Sequence, residues 1–120
     1  MADLEAFKDA LPISPRPRRV ALLTDFGAGP YVGQMQLLLS ALAPGVPSVA
    51  LISNLPAFRP ELAAYLLPRL RRGMPGGTVY TCVVDPGVGT DREALAVNSG
   101  EDWWVGPDNG LLVPLLKGLD

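Results

Sequence analysis

The sequence predicts an α/β fold in which a mostly parallel sheet carries helices on both faces. Short apolar runs alternate with segments of helical period, in the order strand, helix, strand, helix, strand. The strands are apolar at consecutive positions, which is typical of parallel strands buried on both faces. The chain has 120 residues, 48% of them hydrophobic and 18% charged, which fits one small globular domain.

The predicted fold begins at Val20, after an N-terminal extension. Residues 1–19 end in a segment rich in proline and arginine, residues 12–19, whose prolines disfavour both helix and sheet pairing. We therefore expect residues 1–19 to form a flexible extension and residues 20–120 to form one α/β domain.

Two strands and two helices follow in the first part of the domain. Apolar runs predict strands over residues 20–23 and 49–52. A helix is predicted over residues 31–43 because apolar residues recur there at helical spacing, at Tyr31, Met35, Leu38, Leu39 and Leu42. A second helix is predicted over residues 61–72, with proline before it and arginines at its C-terminal end.

The second part of the domain is rich in strands. A third apolar strand is predicted over residues 78–84, and a further pair of strands over residues 93–98 and 103–105. A tight loop follows, and an apolar helix is expected to begin at residue 111. Since little chain remains for that helix to pack against, we expect a truncated domain, or one that a partner completes.

Three aromatic residues in the predicted elements are candidates for either packing or ligand binding. Trp103 and Trp104 are adjacent in a strand and must face opposite sides, so at least one belongs to the core or to an interface. The other is a candidate for stacking on an adenine. Tyr31 is expected to contribute packing rather than chemistry.

Composition excludes several classes of function. The chain has no histidine, so a Ser-His-Asp triad and a histidine-bound metal are excluded, and no motif implies a metal site. The net charge is −2, and no basic stripe suggests nucleic acid as a partner. No run is long enough to span a membrane. The single cysteine, Cys82, lies in an apolar strand, which favours core packing and a cytoplasmic location.

The loop after the third strand carries the strongest chemical signal. Residues 83–92 run from an apolar strand into a segment with two glycines, a proline and charged side chains, including Asp85 and Arg92. Such a loop bends sharply and lets a ligand approach its backbone. Loops at the carboxyl ends of buried strands hold the sites of open α/β sheets. The alternative is a plain turn between strands with a surface ion pair.

Three predicted loops place an acid beside glycine directly after a strand. The acids are Asp25, Asp85 and Asp108, and loops of this kind gather at one edge of a parallel sheet. A carboxylate there suits a vicinal diol such as that of a ribose, because it accepts two hydroxyl hydrogen bonds. Asp25 could instead cap the following helix, and Asp108 with Asn109 could belong to an ordinary turn.

Four motifs together resemble a known family. The sequence holds Thr-Asp-Phe-Gly at residues 24–27, Tyr-Val-Gly-Gln-Met at 31–35, Val-Val-Asp-Pro-Gly-Val-Gly-Thr-Asp-Arg at 83–92 and Pro-Asp-Asn-Gly-Leu-Leu at 107–112. Their order and spacing resemble the N-terminal domain of the S-adenosyl-L-methionine (SAM) hydrolases, or SAM hydroxide adenosyltransferases, relatives of the fluorinase and chlorinase. The resemblance extends from Val20 to the end of the chain, and implies a Rossmann-like fold.

The resemblance implies a reaction and a role for each matching residue. Water or hydroxide would attack C5′ of SAM, its substrate, and release adenosine and L-methionine without a further cofactor. Asp25 would hold the ribose diol, and Asp85 with Arg92 would belong to an Asp-Arg-His set that positions the nucleophile. Because the halogenases have a different residue at the position of Asp85, its presence favours hydroxide over halide. Further substrate-binding residues implied are Phe26, Asp108 and Asn109.

The sequence also departs from the family pattern. The family histidine lies in a later motif, before a C-terminal β-barrel that contributes adenine contacts across a trimer interface; these 120 residues contain neither. An acid expected near residues 28–30 is missing, and the Asp-Ile-Thr-His pattern after the second strand is replaced at residues 51–54. The resemblance implies a homo-oligomer, or a complementing C-terminal chain. The alternatives to a hydrolase are a non-catalytic remnant that binds adenosine or SAM, and a structural subunit.

Overall fold

The computed structural model of the chain describes residues 16–56, 59–84, 94–107 and 112. Its elements are β1 (Arg19–Thr24), α1 (Tyr31–Leu42), β2 (Ser48–Ile52), α2 (Pro60–Arg71), β3 (Thr78–Val83), β4 (Ala94–Ser99) and β5 (Asp102–Pro107). Each agrees with a predicted element to within two residues at either end. The predicted loop from Gly106 begins later, because β5 continues to Pro107. The helix expected from residue 111 lies outside the described residues, apart from the buried Leu112.

The five strands form one sheet in the order β2-β1-β3-β5-β4. β1 pairs in parallel with both β2 and β3, and β3 pairs in parallel with β5. β4 is antiparallel to β5 and joins it through a hairpin in which Gly100 has a φ of +61°. The predicted mostly parallel sheet is therefore confirmed, with one antiparallel strand at its edge.

The two helices lie on opposite faces of the sheet. The chain passes from β1 to β2 in one direction and then returns across β1 to reach β3. Since crossovers between parallel strands are right-handed, this reversal puts α1 and α2 on opposite faces. α1 lies along β2, where Gln36 Nε2 donates to the Ser48 carbonyl at 3.3 Å. Neither helix of the described ranges is long and apolar enough to cross a membrane.

The hydrophobic core lies between the sheet and α2. Trp104 stacks on Tyr80 with ring centroids 4.2 Å apart, and Cys82 is buried beside them, as predicted. α2 contributes a buried stripe to this core, consisting of Ala63, Ala64 and Leu67. Trp103 faces the other side of the sheet and is half-buried. Of the two adjacent tryptophans, Trp104 is therefore the core residue.

The apolar stripe of α1 lies partly in solvent. Val32 is buried and Leu39 is partly buried, whereas Leu38 and Leu42 are 63% and 48% exposed. A helix of this length touches the sheet along one narrow face, and here that face follows Val32, Met35 and Leu39. The spacing of the apolar residues predicted the helix correctly but did not identify its buried side.

The amino-terminal end of the sheet is tied together by a buried carboxylate. Asp102 is the first residue of β5, one residue before the predicted start of that strand. Its Oδ2 accepts from Arg71 Nε at 2.7 Å and its Oδ1 accepts from the Thr78 amide at 3.2 Å. We call Arg71, Thr78 and Asp102 the basal latch, because they join the end of α2 to the first residues of β3 and β5.

Candidate functional site

The fold places a crevice at the carboxyl ends of β1 and β3. The connections from β1 and from β2 leave in opposite directions along the sheet, so the order of strands reverses between β1 and β3. Ligands of open α/β sheets bind in the crevice at such a reversal. Thr24 is in register with Val83, so the two strands end level and Asp25 follows β1 directly at this point.

The loop after β1 is fixed to the loop after β2 by two backbone hydrogen bonds. The Gly27 amide donates to the Ser53 carbonyl at 2.7 Å, and the Leu55 amide donates to the Thr24 carbonyl at 3.0 Å. Gly27 has a φ of +72°, a conformation that glycine adopts without steric cost. The Thr24 hydroxyl, fully buried, accepts from the Phe26 amide at 3.4 Å. Asp25 therefore stands on a backbone held from both sides.

The side chain of Asp25 is left available by this arrangement. It is half-buried, and within the described part of the chain it makes no hydrogen bond or ion pair. The alternative role as a helix cap is wrong, because the N-cap of α1 is Pro30 and no side chain caps that helix. Both carboxylate oxygens of Asp25 can thus accept hydrogen bonds from a ligand's hydroxyl groups.

An aromatic pair stands beside Asp25. Phe26 and Tyr31 meet edge to face, with ring centroids 6.2 Å apart and ring planes at 70°. Phe26 is half-buried, and Tyr31 is 62% exposed at the start of α1. Tyr31 makes the expected packing contact, but most of its surface stays in solvent. The pair therefore offers a partly accessible apolar surface in the segment that follows Asp25.

Four of the predicted site residues lie outside the described residues: Asp85, Arg92, Asp108 and Asn109. The strands that precede them, β3 and β5, both end at the same edge of the sheet as β1. Their roles therefore remain predictions. Among the residues that the structure describes, no three acidic or cysteine side chains gather as a metal ion would require.

Trp103 is far from this crevice. It is in register with Val79, near the amino-terminal end of β3, whereas Asp25 follows the carboxyl end of β1. At about 3.3 Å per residue, roughly 16 Å separates the two along the strand direction. The structure does not bring Trp103 to Asp25, which argues against the hypothesis that this tryptophan stacks on an adenine held there.

The motifs of this crevice are matched by a sequence family. The profile of the SAM hydroxide adenosyltransferase N-terminal domain matches residues 20–120. The chain belongs to this family. The resemblance found in the sequence motifs is thereby confirmed for the SAM hydroxide adenosyltransferases.

Several individual proteins are similar to this chain. A protein of Thermus thermophilus named (R)-S-adenosyl-L-methionine hydrolase is 45% identical over 95 residues, which cover 78% of this chain and 37% of that protein. A protein of Salinispora arenicola with the same name is 36% identical over 101 residues, covering 83% and 38%. The chain thus spans less than two fifths of the length of these relatives.

Solved structures show the same fold. An uncharacterized conserved protein from Thermotoga maritima matches with a TM-score of 0.76 and 29% identity, over 83% of this chain and 39% of that one. A conserved hypothetical protein from Thermus thermophilus matches with a TM-score of 0.63 and 45% identity, over 84% and 43%. The sheet and helices described above are therefore the family's fold.

Proposed function

We propose that this chain binds SAM at the crevice between β1 and β3 and takes part in its hydrolysis to adenosine and L-methionine. Family membership and the relatives named SAM hydrolase support this proposal. The observation that carries it is the half-buried carboxylate of Asp25, which stands unpaired within the described residues at the point where the strand order reverses.

Asp25 would hold the nucleoside part of the substrate. The two hydroxyls of a ribose present two donors at a spacing that one carboxylate can accept. A charged acceptor makes stronger hydrogen bonds than a neutral one, so the diol is held in a defined orientation. Phe26 follows Asp25 in the sequence, and its ring packs against Tyr31. It would limit the movement of the ribose.

The chemical step is a displacement at C5′. An oxygen of water forms the new bond to C5′, the bond from C5′ to the sulfonium sulfur breaks, and its electron pair stays on the sulfur of methionine. The proton lost by the water goes to solvent or to a base. Asp85 would orient the attacking water and Arg92 would orient Asp85. When the nucleophile has lost its proton and approaches as hydroxide, it neutralises the sulfonium charge, so excluding bulk water lowers the barrier.

Asp108 and Asn109 would complete the substrate contacts. They follow β5, whose carboxyl end lies at the same edge of the sheet as that of β1. The 120 residues contain no histidine, so with this chain alone the water would lose its proton to solvent, and a base-like histidine of the kind the family pattern implies would add to the rate from polypeptide outside them. No metal or cofactor is proposed.

Chromatography of adenosine and methionine after incubation with SAM tests the proposal. We expect adenosine from the unmodified chain and none above the spontaneous background from Asp85→Ala. Glu101→Gln is the matched control, since Glu101 is an exposed acid in the β4–β5 turn at the opposite end of the sheet. Formation of adenosine by Asp85→Ala at the unmodified rate would contradict the proposed role of Asp85.

Binding measurements separate hydrolysis from the second candidate function. The replacement of the family's Asp-Ile-Thr-His pattern by Leu-Ile-Ser-Asn at residues 51–54 removes an acid and a histidine, which favours a non-catalytic module that binds adenosine or SAM. Adenosine binding by calorimetry without any turnover would support that module. Absence of both binding and turnover would overturn both candidates.

We also propose that the chain works as a homo-oligomer, or with a complementing chain, in the cytoplasm. Large apolar side chains on α1 are exposed, including Leu37 at 73% and Leu38 at 63%, which supports association. Cys82 is a free thiol, which fits a reducing compartment. Sedimentation of a folded monomer at micromolar concentration would contradict the proposed association.

A further inference from the structure

The face of the sheet opposite α2 is only partly covered by the described helices. Strand alternation places one set of residues from β3 and β5 on this face, on the other side of the sheet from Tyr80 and Trp104. All members of this set are half-buried, and they are Val79, Thr81, Trp103 and Val105. α2 lies on the other face and α1 packs mainly along β2, so neither described helix lies over them.

One side of α1 borders this open part of the sheet. Tyr31, Leu38 and Leu42 are exposed and recur at intervals of seven and four residues, so they line up along one side of the helix. Gln36 projects from the opposite side, where it donates to the Ser48 carbonyl of β2. Since β2 is the edge strand, the apolar side of α1 faces the central strands. We call the space between this side of α1 and the half-buried residues of β3 and β5 the lateral trough.

The N-terminal residues join β1 at the amino-terminal end of the lateral trough. The Arg18 amide donates to the Gly77 carbonyl at 2.7 Å, directly before β3, and the Arg18 side chain lies against Gly77. α1 finishes at the same end of the sheet, because it leads into β2, whose first residue Ser48 pairs with Val20. Residues 1–15 lie outside the described residues, and they therefore attach to the fold where the trough begins.

Residues 3–11 have the sequence pattern of a short amphipathic helix. Leu4, Phe7 and Leu11 recur at intervals of three and four residues, while Glu5 and Asp9 fall on the other side. An acid at position 3 and a proline at position 12 are typical of a helix start and a helix stop. A helix of about nine residues is only marginally stable alone in water, so it needs an apolar surface to pack against.

The spacing in this segment matches the side of α1 that borders the trough. Met35, Leu38 and Leu42 recur at intervals of three and four residues, as do the apolar residues of the segment. Two helices that run in the same direction with equal spacing bring such residues together in pairs, here over a length of about 10 Å. α1 contains no charged residue, so packing on it would remove no charged group of α1 from water.

We propose that residues 3–11 form a helix that packs parallel to α1 in the lateral trough, with its apolar side against Met35, Leu38 and Leu42. Neighbouring helices lie about 8–10 Å apart and neighbouring strands about 4.8 Å apart, so a helix beside α1 lies over β3 and β5. Residues 12–15 span up to about 13 Å, which is enough to connect the end of this helix with Arg16. Docking orders residues 3–11, which the sequence alone led us to expect as part of a flexible extension.

This docking is independent of the proposed hydrolase site. Equal spacing puts Leu4 at the level of Met35, one turn short of Tyr31, so the segment ends before the crevice and Asp25. Leu37 projects from another side of α1 and stays available for association. Absence of SAM hydrolysis would therefore not bear on the docking, and a free segment would not bear on hydrolysis.

Paramagnetic broadening of methionine methyl signals in the full chain tests the docking. Glu5→Cys puts a nitroxide label on the polar side of the segment, and Cys82 does not compete for the label because it is buried. We expect the label to broaden the Met35 signal more than the Met74 signal. A free segment gives the reverse, because Met74 lies three residues before Gly77, close to the point of attachment. Met1, near the label in the sequence, is broadened in either case and shows that the label is attached.

Two variants of the labelled chain identify the contact. Phe7→Ser removes the central apolar side chain and should lower the ratio of docked to free segment at least about tenfold, so Met35 loses its excess broadening. Asp9→Ser is the matched control, because it changes the polar side of the segment and should leave the excess broadening intact.

Two outcomes would overturn the docking. One is broadening of Met74 equal to or greater than that of Met35 in the chain labelled at position 5. The other is broadening of Met35 in a mixture in which only the other copies carry the nitroxide, because the segment would then dock on a second copy. Neither measurement depends on a substitution within the described core.

Discussion

The two ends of the sheet use their acidic side chains in opposite ways. At the amino-terminal end, Asp102 is 1% exposed and both of its carboxylate oxygens accept hydrogen bonds from the protein. At the carboxyl end, Asp25 is half-buried, and the described part of the chain offers its side chain no partner. An acid that the fold has satisfied stabilises the fold, whereas an acid that the fold leaves unsatisfied remains available to a ligand.

The largest expected effect comes from breaking the basal latch. Asp102→Ala leaves Arg71 and the Thr78 amide without their partner, and removing one side of a buried ion pair costs about 3–5 kcal/mol. Because Arg71 is 37% exposed and water can reach it, we expect about 3 kcal/mol, the lower end. Urea denaturation would measure the loss. Adenosine binding should be unchanged at temperatures where the variant is folded.

Glu101→Gln is the control for that measurement. Glu101 neighbours Asp102 but is exposed, so the free energy of unfolding of the Glu101→Gln chain should differ from that of the unmodified chain by less than about 0.5 kcal/mol. If Asp102→Ala were equally mild, or if it abolished adenosine binding while folded, the proposed division between the two ends of the sheet would be wrong.

Asp25→Asn should weaken adenosine binding and leave stability unchanged, which is the reverse of the effect expected for Asp102→Ala. The substitution keeps the shape of the side chain but removes its charge, and a hydrogen bond to a charged group is worth about 1.5–3 kcal/mol. We therefore expect adenosine to bind about tenfold to a hundredfold more weakly, with stability unchanged within about 0.5 kcal/mol. Calorimetry with adenosine and with 2′,3′-dideoxyadenosine would measure both affinities.

The dideoxy compound identifies the contact. It lacks the diol, so its affinity should be nearly the same for the unmodified chain and for Asp25→Asn. Equal losses for the two nucleosides would mean that Asp25 acts on the fold of the loop rather than on the ribose.

Cys82 lies in the core, between the two ends of the sheet. The ionisation of its thiol makes the free energy of unfolding depend on pH. Burial raises the pKa of the Cys82 thiol to about 12 from an ordinary value of 9.0. The unfolded chain therefore loses this proton at lower pH than the folded chain, and the free energy of unfolding falls as pH rises from about 9 to about 12. The fall should approach about 1.4 kcal/mol for each pH unit inside that window and vanish below pH 8.

Cys82→Ala isolates this contribution. Tyr80 also ionises late, but it is present in both chains, so its effect cancels when their denaturation curves are compared between about pH 8 and 11. Parallel pH profiles for the two chains would show that the thiol is more accessible to water than its burial implies.

The smallest expected effect concerns two glycines near the crevice. Gly27 has a φ of +72°, and an alanine held there costs about 1 kcal/mol or slightly more. Gly33 lies inside α1, with nothing within 4 Å of an added Cβ, so Gly33→Ala should stabilise the chain by about 0.5–1 kcal/mol. Thermal denaturation of both variants measures the pair. A stabilising Gly27→Ala would mean that the loop after β1 can relax into another conformation.

The sequence was informative wherever a local pattern had one physical solution. Consecutive apolar residues predicted the strands, because a strand buried on both faces is apolar at every position. Helical spacing predicted α1 and α2, because a helix buried on one side is apolar only every three or four residues. The residues around the crevice could also be placed at one edge, since parallel strands bring their carboxyl ends together. Asp25 was selected in this way, although its role as a cap could be rejected only with the structure.

Other features depend on contacts between distant residues. Asp102 follows Gly100 and Glu101, a sequence that is typical of an exposed turn. Its burial in the basal latch depends on the hydrogen bond from Arg71 of α2, a residue distant in sequence. The buried side of α1 is decided by where β2 lies, so Leu38 was as good a candidate as Leu39.

The two backbone tethers between the loops after β1 and β2 have a kinetic consequence. The amides of Gly27 and Leu55 bond to the opposite loop, so neither can exchange its hydrogen with solvent unless the loops part. Breaking one tether removes the geometry that the other needs, so the two amides should exchange at a common rate, as one opening unit. A nucleoside bound to Asp25 would then slow hydrogen exchange at the Leu55 amide as well as at the Gly27 amide.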